Sequence, residues 1–353
     1  MFTRTLVSLL AVKASTAFSL EVSDYAFRGS RDVTISSFQL YPENIDFDPK
    51  YQRAYISALY NCSVAVYDPL QNRVVETIKF PGLSGNPSFH ASGIQVDPLG
   101  RLSVIINAGV AFDTSGKNIS GDNFLVKYDL KKKLLSFKSN LTAVTNGVYG
   151  GYQDVEHDSC GNSFVVGTFP SSIIRVSANG QPATPWFLSR NTNSTKKGLT
   201  GLAAKGSILL ASDEEGGRLL RFDMRAAQGV PIVVQIGNNG QNSSSIGQSL
   251  DGIYLPARFG GKILLVSANG AGTVVLRSRD GAWRSAEKLG VIPNPFLQQG
   301  GSTTASVQMG EKIYSLTEFF ADTSSKIPGT LAGNRTEFPL HDITSAVEKL
   351  LNQ

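Results

Sequence analysis

The sequence predicts an all-β protein that folds as a single six-bladed β-propeller with four-stranded blades and a short C-terminal helix. Short apolar strands alternate with turns rich in Gly, Pro, Asn and Asp, and 35 residues are glycine. One pattern of strands recurs about every 50 residues, as expected for propeller blades. Before the C-terminus, no stretch shows sustained helical periodicity.

Each repeating unit opens with a strand of small residues. The six openings are ENIDFDP (43–49), SGIQVDPLG (92–100), YQDVEHDSCGN (152–162), LTGLAAKG (199–206), LDGIYLPARFGG (250–261) and STTASVQMGE (302–311). An apolar strand follows, such as RAYISA (53–58), and then one ending in apolar-x-apolar-x-Asp, such as AVYDP (65–69). A two-sheet sandwich is the alternative, but its units would not recur in this internal order.

The two ends of the chain are predicted to complete the ring. The last unit lacks an outer strand after residues 312–320, so we expect residues 32–41 to supply it. The tail SAVEKLL (345–351) predicts a short capping helix, with Ser345 and Glu348 as its capping box.

The N-terminus predicts a signal peptide over residues 1–17, followed by the propeller over residues 18–353. Arg4 is a positive start, an apolar core follows, and Ser15–Ala17 is a small-residue cleavage site. A plain N-terminal strand or helix is the alternative. No later apolar run is long enough to span a membrane.

N-glycosylation sequons support entry into the secretory pathway, to be secreted or held in a vacuolar compartment. They lie at Asn61, Asn118, Asn140, Asn193, Asn242 and Asn334. We expect all but Asn334 in loops on the face that carries the pocket, where glycans leave room for a small molecule but hinder a docking protein.

Composition and residue counts exclude several classes of protein. The formal net charge is +5, part of it in the segment expected to be removed, which is too small to predict a nucleic-acid partner. Three His, no G-x-S-x-G motif and no Cys/His zinc spacing argue against a Ser-His-Asp hydrolase and a zinc site. The two cysteines, Cys62 and Cys160, are predicted at opposite ends of different blades, so we expect no disulfide between them.

The stretch YQDVEHDSCGN concentrates acids and imidazole, but strand alternation separates them. Asp154 and Glu156 lie on one face of the predicted strand, and His157 lies on the other. These groups therefore cannot converge on one ion.

In a propeller, the starts of the innermost strands surround the mouth of the central channel, where ligands usually bind. The expected positions are Glu43/Asn44, Phe89/His90, Gln153/Asp154, Leu199/Thr200, Leu250/Asp251 and Ser302/Thr303. Carboxylates, an imidazole, amides and hydroxyls would face one apolar-rimmed pocket.

The phrases PEN (42–44), YQDVEHDSCGNSFVVGT (152–168), LTGLAAKGSILLAS (199–212) and LDGIYLPARFGGKILLVSA (250–268) resemble the blade starts of the gluconolactonase/senescence-marker propeller superfamily. That family holds a divalent metal with a Glu, an Asn and an Asp. Glu43 and Asp251 match two of these ligands, Thr200 stands at the Asn position, and Gln153 stands where a substrate-binding Asn is usual. The resemblance implies the fold, with a metal-dependent lactonase as an alternative function.

Over its whole length the chain is more similar to secreted-looking fungal propellers from secondary-metabolite clusters. These include the tropolone–sesquiterpene hetero-Diels–Alderases and an accessory protein of trichothecene clusters. The similarity rests on the layout SLEVSDYAFRGSRDVTISSFQLYPENIDFD (19–48), ALYNCSVAVYDP (58–69) and degenerate later blades. It implies an enzyme with no metal or cofactor that joins a tropolone o-quinone methide to a humulene-type alkene.

Such a cycloaddition needs oriented apolar partners, hydrogen-bond donors and an acid or base. We assign proton transfer to Asp154 or His90, and hydrogen-bond donation to Gln153 and Thr200. The substrate-binding candidates are Glu43, Phe89, Tyr149, Tyr152, Asp251, Thr303, Phe319 and Phe320. The expected partners are small polyketide or terpenoid substrates, and a non-enzymatic small-molecule-binding propeller is a further alternative.

Overall fold

The structure is a computed structural model that describes residues 32–238, 241–242, 245–325 and 331–353 of the 353-residue chain. It confirms a six-bladed β-propeller with antiparallel blades. The expected signal peptide, residues 1–17, lies outside the described residues. Within the described ranges, no helix is long and apolar enough to cross a membrane.

The first four blades each run from the innermost to the outermost strand along the chain. A first strand, β1 (Asp32–Ser36), precedes them. Blade one contains β2 (Pro42–Asp48), β3 (Arg53–Ala58), β4 (Ser63–Asp68) and β5 (Arg73–Lys79). Blade two contains β6 (Phe89–Val96), β7 (Arg101–Ala108), β8 (Phe124–Asp129) and β9 (Leu134–Asn140). Blade three contains β10 (Gly150–His157), β11 (Ser163–Phe169), β12 (Ser172–Val176) and β13 (Ala183–Leu188). Blade four contains β14 (Leu199–Lys205), β15 (Ile208–Asp213), β16 (Arg218–Asp223) and β17 (Ile232–Val233).

The last two blades are less regular. Two short strands, β18 (Gln235–Asn238) and β19 (Gln241–Asn242), add to the outer edge of blade five. Blade five itself contains β20 (Leu250–Tyr254), β21 (Ile263–Ala268), β22 (Gly272–Arg277) and β23 (Ser285–Pro293). Blade six contains β24 (Ser302–Met309), β25 (Lys312–Glu318), β26 (Glu337–Asp342) and, outermost, β1.

Helices are short and lie between strands or at the C-terminus. The α-helices are α1 (Val110–Asp113), α2 (Leu141–Val144) and α3 (Thr344–Leu351). The 3₁₀ helices span Ala257–Phe259, Leu297–Gln299 and Phe320–Ser325.

The N-terminal strand closes the ring, as predicted. β1 pairs with β26, with Val33 opposite Leu340 and Ile35 opposite Phe338. All four side chains are buried, so the closing pair joins the core between blades six and one. The third strand of this blade, β26, was not predicted, because a long connection separates it from β25.

The C-terminal helix is confirmed, but its predicted capping box does not form. No side chain caps α3, and Glu348 instead pairs with Arg258 at 3.0 Å. The Oδ1 atom of Asp342 accepts the backbone N–H of Thr344 at 2.9 Å. The N-terminal turn is therefore satisfied from the preceding strand and not by Ser345.

All six innermost strands carry a β-bulge near their start. The register shifts lie between Pro42 and Ile45, Ala91 and Ile94, Tyr152 and Asp154, Leu199 and Leu202, Leu250 and Ile253, and Thr303 and Ala305. A bulge re-aims the side chains at the extra residue. The bulges therefore set the direction of the residues at the channel mouth.

Glycine occupies the bulge where neighbouring inner strands approach most closely. A Cβ on Gly93, Gly201 or Gly252 would lie 2.5, 2.5 or 2.7 Å from backbone atoms of the next inner strand. Real Cβ atoms do not make such contacts, so these positions need glycine.

Neither cysteine forms a disulfide, as predicted. Cys62 is buried and Cys160 is exposed, and both thiols are free.

Candidate functional site

A cavity of about 340 Å³ lies where the innermost strands begin. Side chains from the inner-strand bulges, the connecting loops and the 3₁₀ helix Phe320–Ser325 line it. The lining residues are Glu43, Leu59, Tyr60, His90, Ser92, Asn107, Phe112, Asp113, Ser115, Gln153, Lys197, Thr200, Leu250, Asp251, Asn269, Phe320 and Thr323. The volume falls near the lower end of the range of about 300–1,000 Å³ for small-molecule sites.

Hydrogen bonds between amide and carboxylate side chains connect the residues at the base of the cavity. The Nε2 atom of Gln153 donates to Oδ1 of Asp251 at 3.0 Å. The Nδ2 atom of Asn269 donates to the other carboxylate oxygen of Asp251, Oδ2, at 2.8 Å. The Oε1 atom of Gln153 accepts the hydroxyl of Thr168 at 2.9 Å. Both ends of Gln153 and both oxygens of Asp251 are thus held by protein partners.

Thr200 is also bonded within the protein. Its hydroxyl lies 2.8 Å from that of Ser212, which donates to the backbone oxygen of Asp251 at 3.1 Å. We predicted that Gln153 and Thr200 donate hydrogen bonds to a substrate. In the structure both side chains form hydrogen bonds with other side chains of the site.

Glu43 is an acidic residue of the cavity with one carboxyl oxygen that makes no hydrogen bond to the protein. Its Oε2 is buried and has no hydrogen-bond partner. Burial, with the charges of Asp251 and Asp154, raises the pKa of Glu43 well above its ordinary value, and Lys197 only partly offsets this. Burial also raises the pKa of Asp251 to about 6, against the opposing effects of Asn269 and Lys197. Burial therefore favours the protonated form of Glu43.

An apolar wall faces these polar groups. It is formed by Leu59, Tyr60, Phe112, Leu250 and Phe320. The ring of His90 stands edge-on to that of Tyr60, with centroids 5.3 Å apart, and His90 is itself buried. The cavity thus combines an apolar side with a polar base.

Two loops meet over the cavity and each contributes a lining residue. The Ser194 hydroxyl donates to the backbone oxygen of Gly116 at 2.7 Å. Ser115 comes from one loop and Lys197 from the other. Gly116 has a φ of +77°, and a Cβ there would lie 1.9 Å from the Ser194 backbone oxygen, so this contact needs glycine.

Six of the twelve predicted catalytic and substrate-binding residues line the cavity. These are Glu43, His90, Gln153, Thr200, Asp251 and Phe320. The other six lie outside its wall.

Asp154 lies deeper in the channel, where it links blade three to blades one and four. Its carboxylate accepts the backbone N–H groups of Leu202 and Val155, both at 2.8 Å, and the amide of Asn44 at 3.2 Å. Burial raises the pKa of Asp154 to about 7. The bulge explains why Asp154 does not line the cavity as we expected. Gln153 is the extra residue that turns toward the cavity, and Asp154 pairs with Val166 in the regular part of the sheet.

Two neighbouring acids make the same kind of link between inner strands. Asp46 accepts the backbone N–H of Val96 at 2.7 Å, and Glu156 accepts that of Ala204 at 3.2 Å. Burial raises the pKa of Asp46 to about 6 and that of Glu156 to about 8. Asp154 and Glu156 share a face and His157 lies on the other, as the strand alternation predicted.

The remaining expected wall residues belong to blade packing. Tyr152 and Phe319 are fully buried in hydrophobic clusters, and Phe89 packs edge-on against Phe124. Tyr149 donates its hydroxyl to the backbone oxygen of Ser189 at 2.7 Å. Thr303 pairs with Thr317 within its blade. Because inner-strand residues alternate faces, those beside a bulge residue point into the blade.

In blades two and six the residues that we expected at the channel mouth do not coincide with the bulge. The residues at the bulge are Ser92 and Gly93 in blade two, not Phe89 and His90, and Thr304 in blade six, not Ser302 and Thr303. His90 still reaches the cavity because β6 starts early. The dipeptide Ser92-Gly93 matches Thr200-Gly201 and Asp251-Gly252, and this small-residue–Gly signal would have located the bulge.

Other lining residues lie outside the inner strands, and sequence reasoning missed them. Asn107 and Asn269 end second strands or follow them, and Tyr60 lies in a tight turn. Phe112 lies in the short helix α1 and Lys197 in a loop, and no motif marks any of the positions. Only the closed ring brings them together.

The donor set does not fit the metal site of the gluconolactonase-type propellers. Asp251 has an amide donor on each carboxylate oxygen, and the Thr200 hydroxyl is bonded to Ser212. Calcium prefers six or more oxygen ligands with several carboxylates. In the described part of the chain, no three His, Cys, Asp or Glu side chains are grouped to hold a metal ion.

Two curated fungal proteins resemble the chain over most of their length. Trichothecene biosynthesis protein 14 of Trichoderma arundinaceum is 34% identical over 339 residues, covering 91% of this chain and 90% of that protein. Core trichothecene cluster protein 14 of Fusarium sporotrichioides is 32% identical over 336 residues, covering 91% and 86%. No protein-family model matches the chain.

Solved structures share the fold. The Malassezia sympodialis allergen Mala s 1 superposes with a TM-score of 0.75 at 22% identity, covering 89% of this chain and 96% of the allergen. A gluconolactonase from Xanthomonas campestris superposes with a TM-score of 0.51 at 16% identity, covering 88% and 89%. At these identities the likeness establishes the propeller and nothing about activity.

Proposed function

This chain belongs to the family of the fungal trichothecene-cluster protein 14, and we propose that it catalyses a ring-forming step on an oxygenated polyketide or terpenoid. The two relatives are named for trichothecene biosynthesis, which supports a role in fungal secondary metabolism. The observation that carries the proposal is the Glu43 carboxyl, which has a free buried oxygen and faces an apolar wall across the cavity.

Glu43 would act as a general acid. A carboxyl group kept neutral by burial can deliver a proton to a leaving hydroxyl or hydrogen-bond a carbonyl oxygen. The two amides on Asp251 hold that carboxylate in place, whereas Glu43 keeps one buried oxygen without a partner. The ionised Glu43 then takes a proton from a second hydroxyl of the substrate, which restores the acid.

The apolar wall would orient the reacting carbons. Tyr60, Phe112 and Phe320 contribute aromatic rings to the lining of the cavity, and Leu59 and Leu250 contribute aliphatic side chains. Holding two reacting groups in one geometry supplies a large share of catalysis in reactions that need no nucleophile from the protein.

The proposed chemistry is acid-assisted loss of water followed by ring closure. A proton from Glu43 leaves with the substrate hydroxyl as water, which generates an electrophilic carbon. In the hetero-Diels–Alder form, loss of the adjacent hydroxyl proton yields an o-quinone methide, and its oxygen and carbon termini add across an alkene to form a dihydropyran. In the intramolecular form, a hydroxyl of the same molecule forms the new C–O bond and releases its proton to Glu43.

The cavity volume favours the intramolecular form. About 340 Å³ is small for a tropolone and a humulene-type partner together. The Ser194–Gly116 hydrogen bond joins the two loops that contribute Ser115 and Lys197 to the lining, which restrains the cavity from widening on that side.

The test mixes purified protein with two kinds of substrate. One arm contains a tropolone quinone-methide precursor and humulene, and the other contains a single terpenoid polyol with an allylic hydroxyl. We expect one stereoisomer of a cyclised product that has lost one water per molecule of dehydrated substrate, unaffected by a chelator. Glu43→Gln should lower turnover about a hundredfold or more, while Glu76→Gln, on an outer strand, should not.

A product that forms equally without protein in both arms would reject the proposal. If the protein binds these compounds without converting them, it is a small-molecule-binding propeller. Calcium-dependent hydrolysis of a lactone would instead restore the lactonase alternative.

A further inference from the structure

Asn107 carries a buried hydrogen-bond acceptor with no partner. It lies near the end of β7, is 1% exposed, and lines the cavity. Its Nδ2 atom donates to the Ser92 hydroxyl at 2.9 Å and to the backbone oxygen of Tyr152 at 3.1 Å. Its Oδ1 atom has no partner.

The neighbours of Asn107 fix which way its amide points. The Tyr152 carbonyl can only accept a hydrogen bond, so exchanging Oδ1 and Nδ2 would place two oxygens against each other. The amide group is also held at two points, on β6 and on β10, which removes its freedom to rotate. The unpartnered atom is therefore a pure acceptor at a defined position.

Buried polar atoms in folded proteins are almost always paired with protein, water or ligand. Of the described side chains that line the cavity, Glu43 and Asn107 carry buried oxygens without a partner. Gln153, Thr200 and Asp251 are already bonded to protein groups. Because Asn107 lines the cavity, a molecule bound there can supply the partner of its Oδ1 atom.

We infer that Asn107 determines specificity by accepting a hydrogen bond from a hydroxyl group of the substrate. This rests on the proposed function and narrows the substrate class to alcohols, since an ether, a ketone or a hydrocarbon has no hydrogen to donate. Glu43 and Asn107 then have separate roles, because Glu43 acts on the departing oxygen and Asn107 holds a hydroxyl that stays. Asn107 is a binding residue and not an acid or base, because an amide does not titrate.

The size of the effect follows from the cost of leaving the acceptor unpaired. A site built to bond a hydroxyl rejects the analogue that lacks it far more strongly than an apolar pocket rejects a missing methylene. For one neutral hydrogen bond we expect an affinity ratio of about tenfold or more between an alcohol and its methyl ether.

The experiment measures binding and needs no turnover. The probes are a humulene-derived alcohol, its O-methyl ether and humulene, titrated by calorimetry into wild-type protein and variants. Asn107→Leu should bind alcohol and ether equally well.

Asn123→Leu is the matched control. Asn123 is also 1% exposed and lies in the same blade, but its amide is fully bonded, to the backbone N–H of Ala108 at 3.1 Å and the hydroxyl of Thr142 at 2.9 Å, and it does not line the cavity. This variant should lose stability and keep the wild-type preference for the alcohol.

A wild-type protein that does not prefer the alcohol overturns the inference, even if Asn107→Leu fails to fold. So does an Asn107→Leu variant that keeps the full preference. An alcohol-selective protein that forms no product supports Asn107 while rejecting the proposed reaction. If the protein forms product but Asn107→Leu keeps the wild-type selectivity, the proposed reaction is supported and the role of Asn107 is rejected.

Discussion

The side-chain amide of Gln153 donates to Oδ1 of Asp251 at 3.0 Å, joining the inner strands of blades three and five across the mouth of the channel. The two residues are 98 positions apart in the sequence. Their contact depends on the bulges of β10 and β20, which turn both side chains toward the cavity. This hydrogen bond connects two blades across the ring, and the same two residues form part of the base of the cavity.

Removing this link should destabilise the protein and leave Asp251 short of a donor. For Gln153→Leu we expect a loss of about 1–3 kcal/mol in the free energy of unfolding at pH 7.5, since a buried acceptor loses its partner. At pH 5 the loss should shrink, because the pKa of Asp251 is about 6 and its protonated form needs the donor less. A double-mutant cycle with Asp251→Asn, followed by urea unfolding, measures the coupling. Additive effects of the two changes would contradict the prediction.

Stability should fall as the pH rises from 5 to 8. Burial raises the pKa of Asp46 to about 6, of Asp154 to about 7 and of Glu156 to about 8, all above the values in an unfolded chain. The folded protein therefore binds more protons than the unfolded chain in this window. The stabilisation is complete below the unfolded pKa values and is lost as the pH rises through the folded ones.

Each such group can contribute up to about 1.4 kcal/mol per pH unit, so we expect a total fall on the order of a few kcal/mol. Thermal unfolding at half-unit pH steps measures it. Glu156→Gln should flatten the upper part of the curve, whereas Glu311→Gln, on an exposed turn, should not. Stability that stays constant or rises between pH 5 and 8 would show that these acids are ionised in the folded state.

A buried lysine network between blades two and three should be sensitive to loss of one partner. The ammonium of Lys127 lies 3.1 Å from Asp97, from Nε2 of His157 and from the Ser163 hydroxyl, and its side chain is fully buried. Asp97→Asn should cost about 3–5 kcal/mol, because it leaves a buried cation without its counter-charge. Adding Lys127→Met should restore part of the loss in urea unfolding.

The matched comparison is the exposed Asp129–Lys132 pair, 3.7 Å apart. Asp129→Asn should change the free energy of unfolding by less than about 1 kcal/mol. Equal losses for the two aspartate variants would mean that the Lys127 network contributes no more than a surface pair.

The native protein should present one reactive thiol. Cys160 is exposed, whereas Cys62 is fully buried, and burial raises the pKa of Cys62 to about 12. Because the thiolate is the nucleophile, a maleimide should label Cys160 alone until the chain unfolds. Intact-mass analysis of native and urea-treated samples gives the count. Rapid labelling of Cys62 in native protein would mean that blade one opens.

Glycosylation should be selective if the chain enters the secretory pathway, as we propose from its sequons and N-terminal segment. Asn118, Asn193 and Asn334 are exposed, so we expect glycans there. Asn61 is only partly exposed, and its amide nitrogen, the atom that would carry the sugar, donates to the backbone oxygen of Gln39 at 2.9 Å. Peptide mapping of protein secreted by a eukaryotic host should find Asn61 unmodified, and a mass unchanged by N-glycosidase would reject the secretory route.

The sequence predicted the fold because the period-2 alternation and the turn residues recur in every unit. It predicted Glu43, Gln153, Thr200 and Asp251 for the same reason, since they lie at equivalent positions in the repeat. It could not reveal that Asp154 leaves the cavity, because a bulge of one residue inverts the alternation and has no reliable signature in a single strand.

Asn107 illustrates a second limit of sequence reasoning. It lies in RLSVIINA (101–108), which reads only as an apolar strand ending in a turn. Its importance depends on Tyr152, whose backbone oxygen fixes the amide from the next blade. A contact between blades follows from the number of blades and the tilt of each, and one local pattern specifies neither.

Ring closure by β1 determines when the cavity can form during synthesis of the chain. The strand that completes blade six, β1, is synthesised before the other strands of the ring, and its partner β26 is synthesised after them. Until β26 has been made, β1 lacks the strand with which it pairs, and the sides of the ring that carry Glu43 and Phe320 are not yet joined. The nascent chain therefore has no binding site, and the protein becomes competent for small molecules only in its final step of assembly.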